Sequence, residues 1–423
     1  MLRAYKFLTY FLLPLFIILL FFRTIFKKED KIRFKEKIFS SHFRANKDDN
    51  KKLVWFHAVS IGECMSILPL IDKMNIENKN INFLITTVTL SSSKLLKKKL
   101  NLHKNIDHRF FPLDLENLAE AFLNSWKPNL ACFVDSEIWP NFLFKIKEKK
   151  IPLLLLNARL TNKSLNKWKI ILQFAQKVFD NFDLCLAANE DSVKNLSKLQ
   201  VKNLKYIGNL KYATKNTLDE LVSSNKKILD NYKTWCASST HNGEELIVLK
   251  THLEIKKKYK NTLTIIVPRH INRSLDIKNL SNKFNLKSQI LNENDIINSN
   301  TEILIINSFG VLPKYYNYCK NIFIGKSFIK GKKNVSGQNP IEAAKLGCKI
   351  FHGPYVYNFQ ETYELLKSYG IAEEVSSDLE LAKKIIKNFE NPKVINHKQI
   401  NLLNEYGEKI LEDTTAELNA YLK

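Results

Sequence analysis

Short, unbroken apolar runs alternate with amphipathic stretches through most of this chain, and that alternation restricts the fold more than any other feature. In the first half the runs occupy residues 53–59, 81–88, 130–134, 153–157 and 184–187. In the second half they occupy 235–238, 262–268, 303–307, 322–325 and 349–352. A strand that is apolar at every position must be covered on both faces, the condition of a parallel sheet flanked by helices. Helical patterns fill the gaps, for example over 242–257 and 340–346. The chain therefore reads as α/β, with parallel sheets joined by crossover helices. A polar, Lys- and Asn-rich stretch over 213–231 separates the two series of runs. With 423 residues and 45% hydrophobic content there is material for two cores. The expectation is two doubly wound, Rossmann-like domains, 29–220 and 221–423, behind an N-terminal hydrophobic segment 1–28. The last helix is a candidate to pack back on the N-terminal domain. In such sheets ligands sit beyond the carboxyl ends of the strands, where loops and helix N-termini converge.

Residues 7–22 (FLTYFLLPLFIILLFF) carry no charge, and Thr24-Ile25-Phe26 extend the run past Arg23. With flanking cations snorkelling, this approaches the ~20 residues needed to cross a bilayer. Lys27, Lys28, Glu29 and Asp30 follow directly, which is unlike a small-residue cleavage site and argues for retention as a single anchor helix. The downstream flank holds Arg23, Lys27, Lys28, Lys31, Arg33, Lys35 and Lys37 against Arg3 and Lys6 upstream. That asymmetry places the body of the protein on the cytoplasmic side. Pro14 and the short length also admit a segment that enters only one leaflet. The formal net charge of +24 favours acidic partners such as nucleic acid, phosphorylated substrates or an anionic membrane face. It is equally compatible with Lys spread over solvated helix faces. The six cysteines form no CxxC pair and mostly have apolar neighbours, which suits buried thiols in a reducing compartment.

Four segments of the first half end strands with polar residues. His57-Ala58-Val59-Ser60-Ile61-Gly62-Glu63 closes the first run and opens a helix. Glu63 in that first helical turn is a candidate general base for an attacking hydroxyl, or else a carboxylate complementing the helix dipole. The hydroxyl-rich turn over residues 86–94 suits sugar or phosphate oxygens, or plain N-capping. Asp135-Ser136-Glu137-Ile138-Trp139-Pro140-Asn141 sets two carboxylates at a strand end before a helix opened by Pro140. Its alternative is capping, with Glu137 solvated. Arg159, after Asn157 and Ala158, can clamp an anion or simply pair with a surface Glu.

The second half is sharper. Ser238-Ser239-Thr240-His241 joins a short run to a helix, a natural phosphate seat that is not a P-loop. Pro268-Arg269-His270 ends the next run and supplies a cation, and Ser308-Phe309-Gly310 ends another. Of 11 glycines, Gly325, Gly331, Gly337, Gly347 and Gly353 fall in one stretch. Such a cluster marks backbone that turns sharply or approaches a ligand. Within it, Asn339-Pro340 would start a helix whose Glu342 is placed to hold ribose hydroxyls, unless the glycines only shape a turn.

The segments HAVSIGE, TTVTLSSSK, DSEIWPN, LNARLTNKS, GNLKY, SSTHNGEE, VPRH, SFGVLPKYY, GQNPIEAAKLG and HGPYVYNFQE stand in the order of a known family. On these the chain resembles, along nearly its whole length, the 3-deoxy-D-manno-octulosonic acid (Kdo) transferases of lipopolysaccharide synthesis. The resemblance implies the two-domain GT-B glycosyltransferase fold, with the lipid acceptor on the N-terminal domain and CMP-Kdo on the C-terminal one. It implies inverting transfer of Kdo to the phosphorylated disaccharide lipid A precursor, lipid IVA, at the cytoplasmic face of the inner membrane. No metal or other cofactor and no nucleic acid enter that reaction. By motif, Glu63 becomes the general base, and Glu137, in the segment that resembles the family's ELWPN, a second acidic residue. Ser239, Thr240, Arg269, Gly310, Asn339 and Glu342 fall on the donor-binding segments. The chain departs from many relatives at Gly325-Lys326-Ser327, at Gln338 in place of His, in the Lys-rich residues 330–339 and at Ser308-Phe309-Gly310. Two other readings fit the fold pattern: a glycosyltransferase or epimerase using a UDP-sugar and another acceptor, and a membrane-tethered binding protein with degenerate sites.

Overall fold

Seven of the apolar and edge segments of the first half pair as β1 (Lys52–His57), β2 (Ile81–Thr87), β3 (Ile106–Phe110), β4 (Leu130–Val134), β5 (Leu153–Ala158), β6 (Leu184–Ala187) and β7 (Leu204–Tyr206). This computed structural model describes residues 1–422 apart from 46, 47, 49, 101–104, 215–222, 294, 309, 331–335 and 393–396. The strands form one parallel sheet in the order β3-β2-β1-β4-β5-β6-β7. The winding direction reverses between β1 and β4, whose carboxyl ends therefore flank an open crevice. His57, the last residue of β1, lies level with Thr86 of β2 and Phe133 of β4.

The second half repeats the arrangement with β8 (Lys233–Thr240), β9 (Thr262–Pro268), β10 (Ser288–Leu291), β11 (Ile303–Ile306), β12 (Asn321–Ile324), β13 (Lys349–His352) and β14 (Ala372–Glu374). Their order is β10-β11-β9-β8-β12-β13-β14, again all parallel, with the reversal between β8 and β12. The ten apolar runs all become strands. The four strands that no apolar run announced, β3, β7, β10 and β14, are the four sheet edges.

The chain divides into two compact units, Met1–Thr214 with Tyr406–Lys423, and Lys215–Glu405. The break thus falls at 214/215, where the sequence suggested 220/221. The final helix, His397–Ala420, starts in the second unit and ends in the first. In the first unit the Tyr406 ring meets Tyr212 edge-on at 5.0 Å. Gly407 lies so close to Tyr212 that a Cβ there would stand 2.1 Å from its carbonyl oxygen. Lys205 pairs with Glu417 at 2.7 Å, and the Tyr421 hydroxyl donates to the Asp183 carbonyl at 3.3 Å. Beneath the β1–β4 crevice the core is aromatic. Trp55 packs on Phe122 at 5.0 Å and Phe133 at 5.3 Å, and Phe111 on Phe142 at 4.5 Å. The second core is mainly aliphatic, with Val248, Leu249, Ile266 and Ile305 packed beside Trp235, Phe323 and Phe351.

The N-terminal segment is not the single anchor helix that its composition suggested. It forms two helices, Leu2–Phe11 and Leu13–Ile25, bent by 49°. Pro14 sits in the first turn of the second helix, where its missing N–H costs nothing but its ring prevents a continuous helix across Leu12. No single helix among the described residues is long and apolar enough to cross a bilayer; the bent pair passes by length and composition. One side of the pair is bound to the first unit. The Tyr5 hydroxyl donates to Asp114 at 2.7 Å and Lys6 to Glu116 at 2.7 Å, while Leu2, Tyr5 and Leu13 pack on the core. On the other side Phe7, Phe11, Leu15, Phe21, Phe22 and Phe26 are all more than half exposed. The segment that follows is sewn on by buried charge: Glu29 bridges Arg23 (2.8 Å) and Lys37 (2.6 Å), and Lys37 donates to the Val88 carbonyl at 2.8 Å.

Candidate active site

Among the described residues ten non-glycine positions adopt left-handed backbone, and four of these, Asp135, Asn157, Ser239 and Lys326, lie at the carboxyl ends of central strands. Strain of this kind collects at functional sites, where the chain must aim side chains out of the sheet.

At the β1–β4 reversal the helix Ile61–Glu77 begins with Ser60 as N-cap, whose Oγ accepts from the Glu63 N–H at 3.3 Å. The Glu63 carboxylate folds back to accept from the Val59 N–H at 2.7 Å and the Ser60 hydroxyl at 2.6 Å, a variant of the capping box whose backbone donor precedes the N-cap by one residue. Burial pushes its pKa up, and the nearby charges of Asp135 and Glu137 push the same way, against the two hydrogen bonds. Asp135 accepts from the Asn157 amide at 2.5 Å and lies 3.6 Å from the Lys211 ammonium. The Lys211 chain passes directly over Gly62. Glu137 accepts from the Trp139 indole at 2.9 Å, and His57 Nε2 lies 3.6 Å from the same oxygen. Three carboxylates from two strand ends thus share one rim with one ammonium.

The other first-half motifs are used locally. Thr89 Oγ1 accepts from the Ser92 N–H at 3.2 Å, and Thr89 and Ser92 both donate to the Val59 carbonyl, at 3.4 and 2.9 Å. The turn therefore supports the backbone that carries Glu63. Ser136 Oγ donates to the Arg159 carbonyl at 2.7 Å, tying the ends of β4 and β5.

At the β8–β12 reversal Ser239 forms a bulge with φ +55°, shifting the pairing with β9 between Ser238 and Thr240. Ser238 Oγ and the Tyr316 hydroxyl share a hydrogen bond of 2.6 Å. Thr240 is fully buried, and its Oγ1 has no partner among the described residues. Across the reversal, Gly325 admits no side chain: a Cβ would meet the Ser239 carbonyl oxygen and Thr240 Cα at 2.7 Å. Both loops converge on Glu244, wholly buried at the start of the helix Glu244–Lys258. It accepts backbone N–H groups from His241 (2.9 Å), Lys326 (2.6 Å), Ser327 (2.8 Å) and Phe328 (3.1 Å).

Arg269 ends β9 exposed, its N–H donating to the Thr240 carbonyl at 3.1 Å. Arg273 instead binds Glu245 bidentately at 2.7 and 2.9 Å. Gln338 Nε2 lies 3.1 Å from His241 Nε2, and burial together with Lys326, His270 and Arg269 lowers the His241 pKa to about 4. A neutral imidazole then accepts the Gln338 amide proton. Asn339 Oδ1 accepts from the Ile341 N–H at 3.1 Å, opening the short helix Ile341–Lys345, with Pro340 just before it. Burial raises the half-buried Glu342 to about 7. Gly310 is exposed beyond β11 at φ +75°.

Ser239 and Thr240 are the last two residues of β8, and Arg269, Gly310, Asn339 and Glu342 lie in the segments that follow the adjacent strands β9, β11 and β12. Glu63 and Glu137 do so for β1 and β4. Phe309 and residues 331–335 of the Lys-rich loop lie outside the described residues. Sequence reasoning missed His57, Lys211 and Glu244 as individual site residues. Each was inside a quoted motif, but its role depends on partners far away in the chain. Among the described residues no group of three or more His, Cys, Asp or Glu is arranged to hold a metal ion, and all six cysteines are free and buried.

Two doubly wound parallel sheets, each with its polar residues at the point of strand reversal, define the GT-B architecture. Solved structures share the fold. A putative UDP-N-acetylglucosamine 2-epimerase from Listeria monocytogenes matches with a TM-score of 0.61 at 13% identity, over 86% of this chain and 94% of that one. A glycosyltransferase from Rickettsia africae matches at 0.59 and 14%, over 88% and 99%. At such identities the likeness is one of fold alone. Within the class, a family profile for 3-deoxy-D-manno-octulosonic-acid transferase (kdotransferase) matches residues 33–214. The 3-deoxy-D-manno-octulosonic acid transferase of Rickettsia bellii is 32% identical over 357 residues, 84% of this chain and 82% of that protein. The chain belongs to the Kdo transferase family.

Proposed function

We propose that this glycosyltransferase moves Kdo from CMP-Kdo to a hydroxyl of the phosphorylated lipid A disaccharide precursor, lipid IVA, with inversion and with Glu63 as general base. The observation that carries the reading is the Glu63 carboxylate. It is fixed by Val59 and Ser60 at the strand reversal and desolvated so that its proton affinity is raised. In the step, Glu63 takes the hydroxyl proton and the freed oxygen bonds to the anomeric carbon. The bond from that carbon to the CMP phosphate breaks, its electron pair leaving with CMP. Arg269 and the backbone around Ser239 and Thr240 meet the leaving phosphate, and Glu342 and Asn339 meet the nucleoside. This chemistry calls for no metal. Glu137 and Asp135 hold the acceptor's sugar hydroxyls, and Lys211 faces its phosphate.

Incubating the purified protein with CMP-Kdo and lipid IVA is expected to release CMP and add the mass of Kdo to the lipid. Release of UDP from a UDP-sugar with none of CMP from CMP-Kdo, or transfer only to a different acceptor, would replace this reading with the UDP-sugar alternative.

The N-terminal helix pair attaches the first unit to the inner membrane surface from the cytoplasmic side. Its support is the exposed face of Phe, Leu and Ile beside a basic flank, on helices whose opposite face is bonded to the unit through Tyr5 and Lys6. The bend favours lying in the interface over spanning. Changing Phe7, Phe11, Phe22 and Phe26 to Ser is expected to abolish flotation with anionic liposomes. Unchanged flotation of that variant removes the proposal.

A further inference from the structure

One buried polar group at the first reversal is not used by the chemistry above. His57 is fully buried, and its Nε2 has no hydrogen-bond partner among the described residues. The charge it faces is the Glu137 carboxylate, at 3.6 Å. On the other side of the ring Nδ1 lies 3.0 Å from Thr86 Oγ1, which accepts the Trp55 indole N–H at 2.9 Å. An indole N–H only donates, so the single proton of the Thr86 hydroxyl is left for one of two acceptors. These are His57 Nδ1 at 3.0 Å and the Phe56 carbonyl at 3.4 Å.

The choice fixes the tautomer. If Thr86 donated to Phe56, His57 would carry its proton on Nδ1 and turn a bare lone pair on Nε2 toward a carboxylate. That leaves a buried acceptor unsatisfied in front of an anion, a costly arrangement. If Thr86 donates to Nδ1, the proton sits on Nε2 and an N–H faces Glu137. The shorter contact and the facing charge select the second case. The ring cannot turn away, because it is stacked on Phe111 at 3.9 Å with Phe133 against it at 5.0 Å. The order of donation is therefore Trp55 to Thr86, Thr86 to His57, and His57 toward Glu137, whose Oε2 also receives the Trp139 indole.

We propose that His57 is a positioning residue, whose Nε2–H, set by the Trp55–Thr86 relay, holds the Glu137 carboxylate in place and closes on it when acceptor fills the rim. This rests on the reading of Glu137 as an acceptor-side acid, and it adds the group that orients it.

Nitrogen NMR on histidine-labelled protein, with His57→Gln used for assignment, is expected to show the His57 proton on Nε2, with Nδ1 accepting from Thr86. A proton on Nδ1 instead overturns the inference without any activity measurement. In kinetics, His57→Phe keeps the ring on Phe111 and removes the donor. It is expected to lower kcat by up to about 100-fold, the scale of a misplaced catalytic group, with KM for CMP-Kdo unchanged. His57→Gln, which retains a donor, is expected to recover part of that loss. In a Glu137→Gln background the His57→Phe change is expected to add nothing. Losses that multiply remove the positioning role alone, whereas a wild-type rate for Glu137→Gln by itself removes the acidic role of Glu137 and the inference with it.

Discussion

Replacing Glu63 with Gln is expected to reduce turnover by about 10²- to 10⁴-fold, the usual contribution of a general base, while CMP still binds. The amide has nearly the same shape as the carboxylate. One of its ends still accepts from the Val59 N–H, and the Ser60 hydroxyl can rotate to accept from the other, so the cap on the helix Ile61–Glu77 survives. What is lost is the ability to take a proton. The pH dependence follows from the sign of the shift. Glu63 is a base only when ionised, so the rate falls as pH drops through its pKa. Burial, Asp135 and Glu137 raise that pKa, so the acidic limb lies at higher pH than an ordinary glutamate gives. Asp135→Asn removes one neighbouring negative charge and is expected to move the limb to lower pH. Initial rates of CMP release across pH check both statements, and a Glu63→Gln protein with undiminished turnover would end the assignment of the base.

The second large effect is expected at Glu244, which the chemistry does not touch. Each of its oxygens accepts two backbone N–H groups, His241 and Lys326 on one, Ser327 and Phe328 on the other. Only a carboxylate offers acceptors on both ends. Glu244→Gln turns an NH₂ group toward two fixed donors in a site with no solvent. The loss is expected to be about 3–5 kcal/mol, typical of a broken buried charged network. In a unit of this size that lowers Tm by roughly 10 °C. The same variant is expected to weaken CMP binding, because the Gly325–Ser327 turn and the Thr240 end of β8 are no longer pinned together. Thermal unfolding read alongside CMP titration separates the two effects. A variant with wild-type Tm shows that Glu244 does not organise this turn.

Much of the fold was legible because central parallel strands are apolar on both faces and announce themselves as unbroken runs. The four strands that were not seen fail that rule for one physical reason. β3 (IDHRF), β7 (LKY), β10 (SQIL) and β14 (AEE) are edges, half open to water, and they carry charge or polar residues. The bend at Pro14 was legible as a possibility, but the bonds from Tyr5 to Asp114 and from Lys6 to Glu116 join residues too far apart in the chain to be paired by eye. The site divides in the same way. Glu63, Glu137 and Thr240 stand at strand ends, which a strand reading locates. The capping role of Glu63 was written in the Ser60-to-Glu63 spacing and coexists with the proposed catalytic one. His57 and Glu244 remained hidden because their meaning lies in Thr86 and in Lys326, one on a neighbouring strand and one beyond a strand reversal.

The final helix imposes an order on the birth of this protein. A chain made from the amino end has all of β1 to β7 outside the ribosome once Tyr206 emerges, yet the face around Gly208 and Tyr212 then has nothing to cover it. Its cover, Tyr406, Gly407 and Ile410, is synthesised almost 200 residues later. The second unit lies wholly within that interval and can close first. The first half to be made is thus the last to be finished, and translation that stops before Tyr406 yields both sheets but leaves the older one uncapped.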